Sequence, residues 1–88
     1  MNQSILFPDM QHWDDHLQAI VFPAQQSGAL IECVVTLNQL EVLAGQKLQG
    51  AEQALVCFSQ HRFDLEELAE ELIEDETFNQ SGQVEVIC

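Results

Sequence analysis

The sequence predicts an α+β domain, in which an antiparallel sheet built on a central hairpin, with short N- and C-terminal strands, packs against three short helices. Two runs rich in β-branched and aromatic residues, 17–24 and 29–35, flank a short polar loop. Three amphipathic segments with helix-start signals follow, and residues 83–88 alternate again as a strand does. Strands grouped apart from helices along a chain are typical of this class.

The N-terminal part of the chain is predicted to form an edge strand and then a loop. Residues 4–7 are a short apolar run that Pro8 halts, which favours a brief strand at the edge of a sheet. Residues 10–16 predict a loop or a single helical turn. Trp13 lies in that segment, and we expect it to close one end of the core.

The hairpin is predicted to turn through Gln25-Gln26-Ser27-Gly28, because Gly28 readily adopts a positive φ. If Ala24 pairs with Ala29, all other pairs of the hairpin follow, because the residue numbers of two paired residues have a constant sum in an antiparallel ladder. The face assigned to the core carries Gln18, Ile20, Phe22, Ile31, Cys33 and Val35. The other face is also largely apolar, so we expect loops of the terminal strands or a second subunit to cover it. That face carries Leu17, Ala19, Val21, Pro23, Leu30, Glu32 and Val34.

The first helix is predicted to start directly after the hairpin. Thr36 is suited to cap it, and Gln39 stands three residues later to complete a capping box. Gly45 marks its end, where a left-handed residue is favoured. Val35 is expected to pack onto Leu40 across the start of the helix.

The second helical pattern covers residues 51–60, and its wide apolar arc predicts deep burial. The arc carries Ala51, Ala54, Leu55, Val56, Cys57 and Phe58. We place His61 and Arg62 in the last turn of this helix, where positive charge suits the helix C-terminus.

The third helix has the clearest pattern, over residues 63–76. Asp64 is predicted to cap it with Glu67 completing a capping box, and Phe63 to pack onto Leu68. An apolar stripe of period 3.6 follows, formed by Leu65, Leu68, Ala69, Leu72 and Ile73. The opposite side is acidic, and it is our candidate partner-binding site. It carries Glu66, Glu67, Glu70, Glu71, Glu74 and Asp75.

Length and charge restrict the class of protein. A chain of 88 residues is predicted to form a single domain, residues 1–88. Fifteen acidic residues against two basic ones give a net charge of −13, which repels nucleic acids and anionic membranes. The sequence has three widely spaced cysteines and no signal-peptide pattern, so we expect reduced thiols and a cytoplasmic protein.

Two constellations resemble reactive sites, but neither is complete. His12 and His16, with Asp14 and Asp15 nearby, have a spacing that binds metal on a helix, yet a helix is not expected there. Cys57 and His61 are four residues apart on one helix, but an apolar setting makes a thiol inert. We therefore assign no catalytic, metal or cofactor-binding residue, and we expect no enzymatic activity.

The chain resembles the bacterial family catalogued as domain of unknown function 1488. The resemblance lies in core and capping positions over most of the chain: residues 20–24, 28–33, 36–40, 54–55, 58 and 63–73. It implies the fold and a bacterial cytosolic setting, and it transfers no functional residue.

Two functions remain open at this point. The first is a non-enzymatic interaction or regulatory module whose acidic helix binds a basic surface of another protein, with a homodimer through the second sheet face. The alternative is a small-molecule-binding or minor enzymatic domain with a pocket between sheet and helices, lined by Trp13, Phe22 and Phe58.

Overall fold

The protein is a mixed five-stranded sheet packed against three helices, as seen in a computed structural model that describes residues 5–88. This confirms the α+β class. Ser4, which we placed in the first strand, lies outside the described residues. The strands are β1 (Ile5–Leu6), β2 (His12–Asp14), β3 (Ala19–Gln26), β4 (Ala29–Thr36) and β5 (Val84–Glu85). The helices are α1 (Leu37–Ala44), α2 (Gly50–Gln60) and α3 (Arg62–Glu74).

The β3–β4 hairpin forms the centre of the sheet, and the short strands lie on its two edges. Both β1 and β2 pair antiparallel with β3, while β5 pairs parallel with β4. The sheet is therefore mixed rather than wholly antiparallel, which corrects the prediction. The parallel pair follows from the connection, because the chain passes through three helices between β4 and β5 and returns in the direction of β4.

The hairpin turn is tighter than predicted. Gln26 opposes Ala29 and Ala24 opposes Ile31, so only Ser27 and Gly28 form the loop. Both loop residues have positive φ, 52° and 85°, as the two-residue turn that matches strand twist requires. The register moves by two positions, an even number, so every strand residue keeps the face that the sequence assigned to it.

Residues 10–16 contain a strand that the sequence did not predict. In β2, His12 opposes Val21 and Trp13 opposes Ile20, which continues the sheet along the edge of β3. Pairing with β3 supplies the hydrogen bonds that make this polar segment extended. Trp13 is partly buried against the main core, as expected, although it reaches the core from a strand.

The main core lies between the inner sheet face and the helices. Residues predicted for this face, among them Ile20, Phe22 and Val35, are buried there together with Leu40, Phe58 and Leu65 of the helices. The outer sheet face buries a smaller cluster of Ala19, Val21 and Val34. Leu30, also on the outer face by alternation, stays 69% exposed.

Helix α1 has the predicted ends. The Thr36 hydroxyl oxygen accepts the Gln39 N–H at 3.3 Å, and Gly45 adopts the left-handed conformation with its N–H bonded to the Glu41 carbonyl. The second hydrogen bond of the predicted capping box, from the Thr36 N–H to the Gln39 side chain, is replaced by another contact. The Gln39 side-chain oxygen accepts the N–H of Cys88 at 2.7 Å, so it ties the end of the chain to α1.

Helix α3 begins earlier than predicted. The residue that caps it is His61, and the Leu65 N–H already bonds to the His61 carbonyl at 3.0 Å. Asp64 therefore lies inside the first turn, and the capping box that we predicted with Glu67 is wrong. Arg62 opens α3 instead of closing α2, because His61 ends α2 and starts the next helix.

Candidate interaction site

The acidic face of α3 is positioned by the burial of its opposite side. Leu65, Ala69 and Ile73 are buried in the main core, which repeats the predicted stripe. Leu68 and Leu72 pack against that core while partly buried. The positions of the carboxylates around the helix follow from the helical period. Glu67, Glu71, Glu74 and Asp75 are exposed, and Glu66 and Glu70 are half-buried.

Glu66 differs from the other acids because Arg62 holds it against the protein. The Arg62 Nε donates to a Glu66 carboxylate oxygen at 2.7 Å, and the two side chains are only 16% and 17% exposed. The Arg62 guanidinium also donates to the Pro8 carbonyl at 2.7 Å and to the Gln11 side-chain oxygen. Glu66 therefore belongs to an internal contact, and the predicted acidic face is reduced to five carboxylates.

The five remaining carboxylates, Glu67, Glu70, Glu71, Glu74 and Asp75, form what we call the acidic face. Arg62 is the sole basic residue in the sequence of α3, and its charge is directed inward. Like charges four residues apart on a helix repel by about 0.2–0.5 kcal/mol per pair, and acids in the last turn oppose the helix dipole. This face therefore costs stability, which its own helix does not offset with basic side chains.

Phe63 lies on the exposed side of α3 and not in the core. Its side chain is 84% exposed, so the predicted packing onto Leu68 is wrong. The reason is the early helix start: Phe63 sits inside the first turn, where its direction is set by the helix and no longer by a preceding loop. It places an aromatic ring one turn before Glu67.

Cys57 and His61 are close together without forming a nucleophilic pair. The sulfur lies 3.7 Å from His61 Nδ1 and 3.5 Å from the Leu40 carbonyl oxygen. Nδ1 is also 3.0 Å from the Cys57 carbonyl oxygen, which can only accept, so Nδ1 carries a proton and is no base for the thiol. Burial raises the pKa of the Cys57 thiol and raises the pKa of Cys33 to about 12, so both stay protonated at neutral pH.

The histidine and aspartate segment is arranged for structure. His12 lies in β2 and His16 in the turn after it, so the two do not share a helical face. The Asp14 carboxylate accepts the Leu17 N–H at 2.9 Å, and Asp15 accepts the Trp13 indole N–H at 3.2 Å. Over residues 5–88 no group of three or more potential ligands is placed to hold a metal ion.

The space between sheet and helices is filled at the residues predicted to line a pocket. Phe22 and Phe58 are fully buried, and their ring centroids lie 5.0 Å apart. Two aromatic rings in contact leave no room for a ligand between them, which removes the support for a pocket at this place. A groove of about 420 Å³ lies elsewhere, beside α2, with Leu48 and Val56 in its walls.

Val56 is a second residue that sequence reasoning misplaced. The apolar arc of α2 predicted deep burial, but Val56 is 53% exposed, while Ala54, Cys57 and Phe58 are buried. The helical period does predict this exposure if the buried stripe is limited to Ala54, Cys57 and Phe58. Val56 is two positions from both Ala54 and Phe58, so its side chain points away from theirs.

Within residues 5–88, none of the three helices combines the length and the apolar content that crossing a lipid bilayer requires.

The fold and the site thus define a small α+β domain that carries an acidic face on its last helix. The chain belongs to the family described as "Protein of unknown function (DUF1488)", which it matches over residues 5–86. This confirms the resemblance seen in the sequence.

Relatives of known sequence and structure agree with this assignment. The chain is 38% identical over 86 residues to the uncharacterized protein YrdB of Escherichia coli K12, covering 96% of each chain. It is 37% identical to YrdB of Shigella flexneri over the same length and coverage. A crystal structure of a DUF1488 protein of unknown function from Shewanella loihica PV-4 superposes with a TM-score of 0.93 at 50% identity, covering 98% of this chain and 94% of that one.

Proposed function

We propose that the protein is a non-enzymatic interaction module that binds a basic surface of another protein through the acidic face of α3. The observation that carries this proposal is that all the charged side chains of that face have the same sign. The single arginine of the helix is used for an internal contact with Glu66, and four of the five remaining carboxylates, Glu67, Glu71, Glu74 and Asp75, are exposed. A surface whose task is solubility alone usually mixes both signs of charge, whereas a surface of one sign accelerates encounter with a partner of the opposite sign.

The proposed setting is the bacterial cytoplasm. All three cysteines, Cys33, Cys57 and Cys88, are free thiols, which supports a compartment that keeps thiols reduced. The charge of −13 supports the choice of a basic protein over a nucleic acid, because phosphate backbones are repelled by the same field.

Reversing the charge of the acidic face is expected to abolish capture of the partner. The triple variant Glu70→Lys, Glu71→Lys, Glu74→Lys should retain the helical circular-dichroism spectrum, since these side chains are outside the main core. Partner recovery from a lysate of the native bacterium should disappear. The Gln triple variant at the same positions has nearly the same size without the charge, and it should bind with intermediate affinity. Equal recovery by all three proteins would contradict the proposal.

We also propose that the outer sheet face mediates a homodimer. Leu30 supports this, because it is 69% exposed on the same face as the apolar cluster of Ala19, Val21 and Val34. Two copies of charge −13 repel each other, so the dimer should strengthen as salt screens that repulsion. Binding of a basic partner should weaken as the salt concentration rises, so the opposite salt dependence distinguishes the homodimer contact from the partner contact.

Light scattering after size exclusion tests the homodimer. At micromolar concentrations we expect twice the chain mass, with a larger dimer fraction at high salt. The Leu30→Glu variant should be monomeric because it places a charge in the contact. A natural chain that is strictly monomeric at every salt concentration would show that no dimer forms.

A further inference from the structure

A groove beside α2 offers an apolar site that the acidic face lacks. It has a volume of about 420 Å³ and lies between the end of α1, the connection that follows, and α2. Ala44 and Leu48 form one wall, and Glu52, Val56 and Gln60 lie along the other. Glu52 and Gln60 are eight residues apart, a distance of about 12 Å along a helix axis, or a little over two turns.

Val56 forms a ridge at the centre of this surface. A second, shallower depression of about 380 Å³ lies against Leu55 and Ser59, and it shares Glu52, Val56 and Gln60 with the groove. Val56 is therefore exposed between two concave regions. A helix that lays apolar side chains into a groove uses this kind of surface, because its side chains repeat every three to four residues.

The charges around the groove favour a basic occupant. Among residues 5–88, Glu52 is the one charged residue that lines it, and the sequence of α2 contains no lysine or arginine. One residue, His61, separates α2 from α3, so the acidic face follows closely along the chain. Lys47, on the connection next to Leu48, is the only exposed lysine or arginine among residues 5–88, since Arg62 is held inside. The chain as a whole carries a net charge of −13, so the field around the groove is negative and attracts a basic segment.

We propose that the groove seats the apolar side of a basic amphipathic helix of the partner protein. In this arrangement apolar side chains of the partner contact Val56 and Leu48, and its lysines or arginines reach Glu52 and the acidic face. The inference rests on the proposed function, and it adds the apolar anchor and the shape of the partner segment. The charge supplies fast encounter, and burial of Val56 supplies affinity that salt does not remove.

The direction in which one substitution changes the binding affinity distinguishes an apolar anchor from attraction by charge alone. Val56→Glu adds a negative charge, so binding by charge alone would become tighter. An apolar anchor predicts the reverse, a loss of about tenfold or more in affinity, because the partner's apolar side chains would bury a carboxylate. Val42→Glu is the matched control: Val42 is exposed on α1, does not line the groove, and receives the same charge.

The probe is a synthetic helical peptide of leucine and lysine with one apolar side, titrated calorimetrically into the full chain. A peptide of the same composition in scrambled order, which has no apolar side, serves as its control. We expect tight binding of the amphipathic peptide, weaker binding by Val56→Glu, and unchanged or tighter binding by Val42→Glu. Amide chemical shifts of the natural chain should change at Leu48, Gln53 and Val56, which maps the contact even if a variant folds poorly.

The two proposals fail in different ways. If Val56→Glu binds as tightly as Val42→Glu and the shifts are confined to α3, the groove proposal is overturned while the acidic face remains the binding surface. If the Lys triple variant at Glu70, Glu71 and Glu74 binds the peptide as well as the natural chain, the proposed function is overturned. Equal affinity for the amphipathic and scrambled peptides would also overturn the groove proposal, because it would show that the apolar side of the helix is not recognised.

Discussion

Replacing Phe58 with alanine is expected to lower the free energy of unfolding by about 4 kcal/mol. Phe58 is fully buried, its ring lies 5.0 Å from that of Phe22, and the Arg62 guanidinium carbon lies 5.4 Å from its centroid. The substitution removes contacts with the sheet, with α3 and with the only arginine at once. Native proteins are stable by about 5–15 kcal/mol, so the variant should lose between roughly a quarter and most of its stability.

Urea unfolding followed by circular dichroism measures this effect. Phe58→Leu keeps most of the apolar volume and should lose much less, about 1–2 kcal/mol. Val56→Ala is the matched control in the same helix, because Val56 is half-exposed, and it should change stability by less than about 0.5 kcal/mol. If Phe58→Ala and Val56→Ala unfolded at the same urea concentration, Phe58 would not be packed in the core more tightly than Val56.

The sequence was sufficient where the signal is local. Thr36 and Gly45 predicted both ends of α1, because a cap depends on residues three or four positions away. The faces of the hairpin strands were also predicted, since alternation determines them whatever the turn. The turn length was not, because Gln25 and Gln26 are polar and fit a loop as well as an exposed strand end.

Features that depend on distant residues were missed. The strand β2 exists because it pairs with β3, and its own sequence, His12-Trp13-Asp14, gives no alternation of β-branched residues. The start of α3 was misplaced because Asp64 and Glu67 imitate a capping box. Arg62, which opens the helix, contacts Gln11 and Pro8, which are 51 and 54 positions away along the chain.

The candidate site was predicted in part for the same reason. The acidic residues of α3 follow from the helical period, and the period was correct. That Glu66 turns inward to Arg62 while Phe63 turns outward depends on where the helix begins, which local sequence misjudged. The groove beside α2 arises from the packing of α1 against α2, and no pattern within either helix encodes it.

Arg62→Ala is expected to cost about 3 kcal/mol of stability, because the side chain is largely buried and donates to several acceptors. The substitution leaves the half-buried Glu66 carboxylate and the Pro8 carbonyl without their donor, and it releases the N-terminal segment from α3. Arg62→Lys keeps the charge but loses the planar fork that reaches several acceptors, so it should recover less than half of the loss. Lys47→Ala removes the other basic charge from an exposed position and should have almost no effect.

The double variant Arg62→Ala, Glu66→Ala tests the cause of this loss. If the main cost is a carboxylate left without its partner, removing Glu66 as well should restore part of the stability of Arg62→Ala. Equal urea midpoints for Arg62→Ala and Lys47→Ala would show that the internal contact is not important.

At a temperature where Arg62→Ala is still folded, it should bind a basic partner at least as well as the natural chain, because the acidic face is intact and one positive charge is gone. Arg62 would then be a residue of folding and the acidic face a surface of binding, although both belong to the same helix.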